Sequence, residues 1–188
     1  MKMNAMTDFT YTVGQALGVI STGCAIARPL CKQKRNILIL NIFINALVSA
    51  NYILIGRFGS ASLMCAIAVA QSMVSLQHNA KGTTAKLREV LLFSALYLGF
   101  GIFGIVSGPD FVWAVNRENL LEIMPIIGTF TMMAAIFTPK EQTTRKFLLV
   151  NGIIWTTYGI IRGSSTFMTN AVSGLAAGGA LIRYRKNS

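Results

Sequence analysis

The sequence predicts an all-α, polytopic membrane protein of seven transmembrane helices. Three observations predict it. Charged residues make up 12 % of the 188 residues, against about a quarter in an average soluble domain. Seven stretches contain no Asp, Glu, Lys or Arg, and most match the roughly 17–25 residues that a helix needs to cross a bilayer. The Lys and Arg of successive connecting segments alternate between few and many.

The uncharged stretches are 9–27, 36–56, 58–77, 90–108, 123–138, 147–161 and 163–182. The sixth is short, but Arg145, Lys146 and Arg162 flank it, and such side chains reach the interface by snorkelling. Unpaired backbone groups cost several kcal/mol each in hydrocarbon, so helices are expected over irregular chain. Alternation at period two is absent, which disfavours a β-barrel. One or two such runs fit buried helices of a soluble protein, but seven leave too little polar chain to cover them. The first run is not expected to be a cleaved signal. Its leader holds one Lys and one Asp, and Ser21-Thr22-Gly23-Cys24 lacks the apolar residue expected three before the cysteine.

From the N-terminal tail to the C-terminal one, the connecting segments carry 1, 4, 1, 3, 1, 3, 1 and 3 basic residues. The richer segments contain Arg28, Lys32, Lys34 and Arg35; Lys81, Lys86 and Arg88; Lys140, Arg145 and Lys146; and Arg183, Arg185 and Lys186. The positive-inside rule then places the N-terminus outside and the C-terminus in the cytoplasm. With the acids included, net charge is zero outside and the whole +11 lies inside, where anionic lipid attracts it. No loop is long enough for the basic face that nucleic acid requires. The lipid bilayer is the expected partner.

Catalysis is not expected. The serines and the three cysteines lack a base or acid at useful spacing, there is one histidine, and no Gly-rich phosphate cradle or metal-ligand cluster appears. No cofactor is expected. Cys24, Cys31 and Cys65 read as small apolar residues.

The chain carries a duplication. Sliding residues 14–47 by 110 positions gives eight identities: Gly18/Gly128, Ala25/Ala135, Ile26/Ile136, Pro29/Pro139, Arg35/Arg145, Leu38/Leu148, Asn41/Asn151 and Ile44/Ile154. A three-residue gap after Asn51 pairs Gly56 with Gly163. A first triple-helix bundle over 9–78, a linker helix over 87–108 and a second bundle over 120–183 follow. An odd linker helix restores direction, so the halves should be related by a pseudo-twofold axis along the membrane normal. The fourth helix, rich in aromatics and glycine, belongs at the rim. Gly14-Gln15-Ala16-Leu17-Gly18 and Gly174-Leu175-Ala176-Ala177-Gly178 are small-xxx-small faces suited to close packing; a homodimer is a further partner that they leave open.

Amides inside the spans are Gln15, Asn41, Asn45, Asn51, Gln71, Asn151 and Asn170. Each either lines a cavity for a polar, uncharged solute or ties helices together, a tie worth about 0.6–2 kcal/mol. Asn41 and Asn151 match each other near the basic side and read as ties. Trp155 lies roughly 15 Å along its helix from Arg145 at 1.5 Å per residue, too deep for an interfacial belt. It packs between helices or stacks on a ligand. Tyr158 shares its face at i+3, and Asn51 and Tyr52 are the first-half counterparts.

Trp155-Thr156-Thr157-Tyr158-Gly159 followed by Asn170 resembles the W-x-x-Y-G … N pattern of the SWEET sugar-transporter superfamily and its PQ-loop relatives. That resemblance implies that Trp155 and Asn170 face a central substrate cavity. Met124-Pro125-Ile126-Ile127-Gly128-Thr129 and the Asn51-Tyr52 … Gly56 … Gly59 run resemble the YgjV-type family of bacterial inner-membrane proteins, which implies that compartment. Leu30 and Lys140 follow the two prolines where a PQ pair has Gln, and Val48 and Leu63 stand where the second half has Trp155 and Asn170. Any site is therefore asymmetric. The function this implies is facilitated movement of a small neutral, sugar-like solute by rocking of the bundles, with Trp155, Asn170, Tyr158 and Asn51 binding it. The other reading is a non-transporting scaffold or regulatory subunit.

Overall fold

The computed structural model describes residues 5–54, 60–106, 117–161 and 166–184. They form seven helices: α1 (Ala5–Leu30), α2 (Lys34–Leu54), α3 (Ser60–Ala80), α4 (Leu87–Val106), α5 (Arg117–Phe137), α6 (Glu141–Ile161) and α7 (Thr166–Arg183). The all-α class and the helix count agree with the sequence. Several boundaries do not. α2, α4, α5 and α6 begin inside charged segments, taking in Lys34 and Arg35, Arg88 and Glu89, Arg117 and Glu118, and Glu141, Arg145 and Lys146. Backbone hydrogen bonding continues wherever propensity allows, and these are good helix formers. Among the described residues no helix is long and apolar enough to cross a membrane. Gly56, Gly59, Arg162, Gly163, Arg185 and Lys186, all used in the sequence argument, lie outside the described residues.

Packing follows chain order within each half. α2 lies against α1 and α3, and α6 lies against α5 and α7. α1 meets α7, α3 meets α5, and α4 packs on α3 and α5. Two apolar clusters mark the centre. Ile37, Ala135, Leu148 and Ala177 join α2, α5, α6 and α7. Ala68, Phe93, Tyr97 and Met133 join α3, α4 and α5. Small residues permit the closest approach: a Cβ on Gly152 would stand 2.8 Å from the Cα of Gly174, so α6 and α7 touch backbone to backbone.

The α3–α4 turn is closed by its own chemistry. Gly82 takes φ +64° just past α3, while Thr83 N donates to His78 O at 2.9 Å and Gly82 N to Asn79 O at 3.3 Å. This is the Schellman pattern, which favours glycine at the left-handed position. Glu89 accepts from Lys86 N at 2.7 Å in the first turn of α4, the reciprocal half of a capping box. That bond holds the Glu89 carboxyl below its usual range.

Candidate functional site

The densest polar chemistry lies where α1 and α5 end. Proline has no N–H, so the carbonyl four residues earlier loses its helical partner. Pro29 orphans Ala25 O, and Pro139 orphans Ala135 O. Both carbonyls are recovered from the other half of the chain. Ser173 Oγ donates to Ala25 O at 3.0 Å, and Lys34 Nζ donates to Ala135 O at 2.5 Å.

The exchange extends further. Arg145 donates through Nε to Pro29 O at 3.1 Å and through Nη2 to Cys31 O at 2.6 Å. Tyr184 Oη donates to Leu30 O at 3.0 Å, with the Arg145 guanidinium 4.6 Å above its ring. On the other side Ser75 Oγ donates to Ile136 O at 2.7 Å, and Lys34 Nζ also reaches Thr144 Oγ1 at 2.7 Å. A helix C-terminus carries partial negative charge, so a cation from each half caps the first helix of the other. Glu141 Oε1 accepts from Lys34 N at 3.4 Å and supplies the acid that the first turn of α2 lacks.

Arg28, Lys34 and Arg145 are 6 %, 3 % and 2 % exposed. This corrects the sequence reading, which counted all three among the basic residues of the connecting segments. Arg35, Lys32, Lys140 and Lys146 do remain exposed. Arg28 Nη1 donates to Asn41 Oδ1 at 2.5 Å, and Asn41 Nδ2 to Ser72 Oγ at 2.8 Å, which ties α1, α2 and α3. A cavity of about 10 Å³ lies between α1, α2, α5 and α6, with Arg28, Lys34, Asn41, Met132 and Thr144 on its wall. It has room for about one water-sized molecule. Burial and the neighbouring Arg28 push the Lys34 ammonium down to about 7, against the pull of Glu141.

The four residues expected to bind solute are placed apart from this cluster. Trp155 and Tyr158 meet edge to face with ring centroids 5.8 Å apart. Trp155 lies on Gly128, where an added Cβ would be 2.6 Å from its Nε1. Asn170 stands on α7 across from Gly152, its carbonyl 3.2 Å from a Cβ built there, one turn before Trp155. Asn51 belongs to the other half and donates to Gly14 O at 2.5 Å. It lies against Gly18, whose added Cβ would be 3.1 Å from its Nδ2. The repeat pairs Gly18 with Gly128, so Asn51 and Trp155 fill equivalent notches. Beside Trp155, Thr156 Oγ1 is buried without a partner.

Asn41 and Asn151 act as ties, as expected: Asn151 Nδ2 donates to Gly128 O at 2.5 Å and to Thr131 Oγ1 at 3.2 Å. Gln71, for which the sequence leaves cavity lining and helix tie open, is a tie: it is wholly buried, accepts from Tyr97 Oη at 2.9 Å and donates to Met133 O at 3.2 Å. Sequence reasoning missed the buried cations. The available signal was the repeated Ala-x-x-x-Pro pair, which predicts one orphan carbonyl per half.

A family model described as bacterial inner membrane protein, Imp-YgjV, matches residues 12–187. The chain belongs to that family. No curated protein and no solved structure is significantly similar to it. For this inner-membrane protein the family match covers both halves, the cation-capped seam and the Trp155–Tyr158 pair.

Proposed function

We propose that this inner-membrane protein crosses the bilayer seven times and moves a small neutral polar solute by rocking one triple-helix bundle against the other. The observation that carries this reading is the reciprocal capping of α1 and α5, which joins the halves through discrete hydrogen bonds beside the apolar contact of Ile37 with Ala135, Leu148 and Ala177. Several features support the membrane crossing. The helices run 18 to 26 residues, about 27–39 Å at 1.5 Å rise. Their charges gather in end turns, within reach of the interface. Large apolar side chains face outward, among them Val19, Leu175 and Ile182 at 74 %, 75 % and 80 % exposure. A water-facing surface rarely gathers so many.

The solute would meet Trp155, Tyr158 and Asn170 in the second half, with Asn51 from the first. An aromatic face suits a sugar ring's C–H surface. Proteoliposome flux across a panel of neutral solutes tests this. Transport that Trp155→Ala and Asn170→Ala reduce at least tenfold is expected. Absence of flux for every solute, or flux unchanged in both variants, overturns it.

A second reading has its own observation. The seam cavity holds about one water and Asn51 is already engaged, as a static scaffold would be. Crosslinking that recovers a stoichiometric partner, with no flux, would establish it.

A further inference from the structure

We infer that the α3–α4 turn and the outward face of α4 form a binding site for one anionic phospholipid, its phosphate at Lys81, Lys86 and Arg88 and an acyl chain along the helix. The site rests on the membrane-crossing part of the proposed function and is independent of transport.

The argument begins with the free side of α4. Phe93 and Tyr97 are buried in the cluster with α3 and α5. Arg88 precedes Tyr97 by about two and a half turns, so it stands on the opposite side. At 3.6 residues per turn, Arg88, Ala95 and Gly99 fall near one line, with Leu91 and Leu98 on one flank and Leu92 and Phe103 on the other. All seven are exposed, and a Cβ added to Gly99 would meet nothing within 4 Å. Small residues between large ones make a shallow apolar groove, and Arg88 stands at its head.

The second observation is charge. Lys81 and Lys86 are exposed beside Arg88. The one acid of this segment, Glu89, is already held by Lys86 N at 2.7 Å and His78 Nε2 at 2.8 Å. Three cations against one carboxylate leave a net charge of +2. Among the described residues the one ion pair is His78–Glu89, so none of the three cations pairs with a carboxylate. The Gly82 conformation and the contact of Thr83 Oγ1 with His78 Nδ1 at 2.8 Å fix the turn that carries them.

A phospholipid matches both parts of this surface. Its phosphate lies at the level of the cations, where each Lys or Arg adds about fivefold in affinity, and its chain fills the groove. A soluble phosphate or an acidic protein segment would use the cations and leave the groove empty.

The test uses the full chain in nanodiscs of dioleoyl phosphatidylcholine with about one-fifth dioleoyl phosphatidylglycerol, and reads retained lipid by native mass spectrometry. One phosphatidylglycerol per chain should be retained, enriched about tenfold over its share of the bilayer. Lys81→Gln/Lys86→Gln/Arg88→Gln should abolish the enrichment. Gly99→Leu, which fills the groove and keeps every charge, should lower it at least about threefold. Lys140→Gln/Lys146→Gln, which removes exposed cations elsewhere, should leave it unchanged. Enrichment that survives the triple variant or is untouched by Gly99→Leu overturns the site. So does equal loss in Lys140→Gln/Lys146→Gln, displacement by soluble glycerol phosphate, or a second copy of the chain retained in place of lipid. Carbonate washing of phosphatidylcholine vesicles separates the two readings. A chain stripped from them loses the membrane crossing and this site together, whereas an inserted chain without phosphatidylglycerol preference loses this site alone.

Discussion

The ends of α1 and α5 solve one problem in two ways. Each helix stops at a proline that orphans a carbonyl, and each is capped from the opposite half. At α1 the cap is an arginine with two backbone acceptors, backed by Tyr184. At α5 it is a lysine held by one carbonyl and one hydroxyl. The difference is chemical. Guanidinium is planar, always charged and suited to two acceptors at once, whereas an ammonium is a compact point charge that loses its proton when buried. The α1 end is therefore a fixed joint, and the α5 end is one whose charge depends on pH.

The strongest way to break this comparison is Arg145→Met. It strips Pro29 O and Cys31 O of their caps at once, and should cost about 3–5 kcal/mol, read as a fall in the unfolding midpoint in detergent. Arg145→Lys should recover less than half of that, because a lysine cannot serve both carbonyls.

Lys34 sharpens the comparison through pH. Its folded-state value lies near 7, below the ordinary 10.5. Between those values the unfolded chain binds the extra proton, so stability rises with pH across that window; below about 7 both states are protonated and the slope vanishes. Lys34→Met should flatten the slope, and Arg145→Met should leave it in place. A wild-type curve flat from pH 7 to 10 would contradict the burial of this ammonium.

Smaller effects test the frame around the joints. Gly152→Ala forces α6 and α7 apart, because the new methyl meets the backbone of Gly174; about 1–3 kcal/mol is expected. Gly18→Ala should cost less, since it meets only the tip of Asn51. Ser173→Ala leaves Ala25 O without its donor and should cost about 1 kcal/mol. Ser75→Ala at the other proline end should match it, and a large inequality would show that the two joints do not share a frame.

Much of the fold was legible because its cause is local. Helices follow the uncharged runs, as α2 does over 36–54, and the prolines mark where α1 and α5 stop whatever packs around them. The role of Asn41 and Asn151 as ties was legible through their common place in the repeat. The candidate site was legible in part. Trp155 and Tyr158 meet because i and i+3 share a helix face. That Asn51 is occupied by Gly14 O was not readable, since the partner lies on another helix.

The amino-acid sequence by itself determined the number of helices and the two proline stops, because each follows from side-chain chemistry within a run or a turn of chain. Only tertiary structure decided that Lys34 and Arg145 leave solvent while Lys32 and Arg35 remain in it. The reason is that a long cationic side chain goes where an orphan carbonyl is, and that carbonyl belongs to a segment more than a hundred residues away.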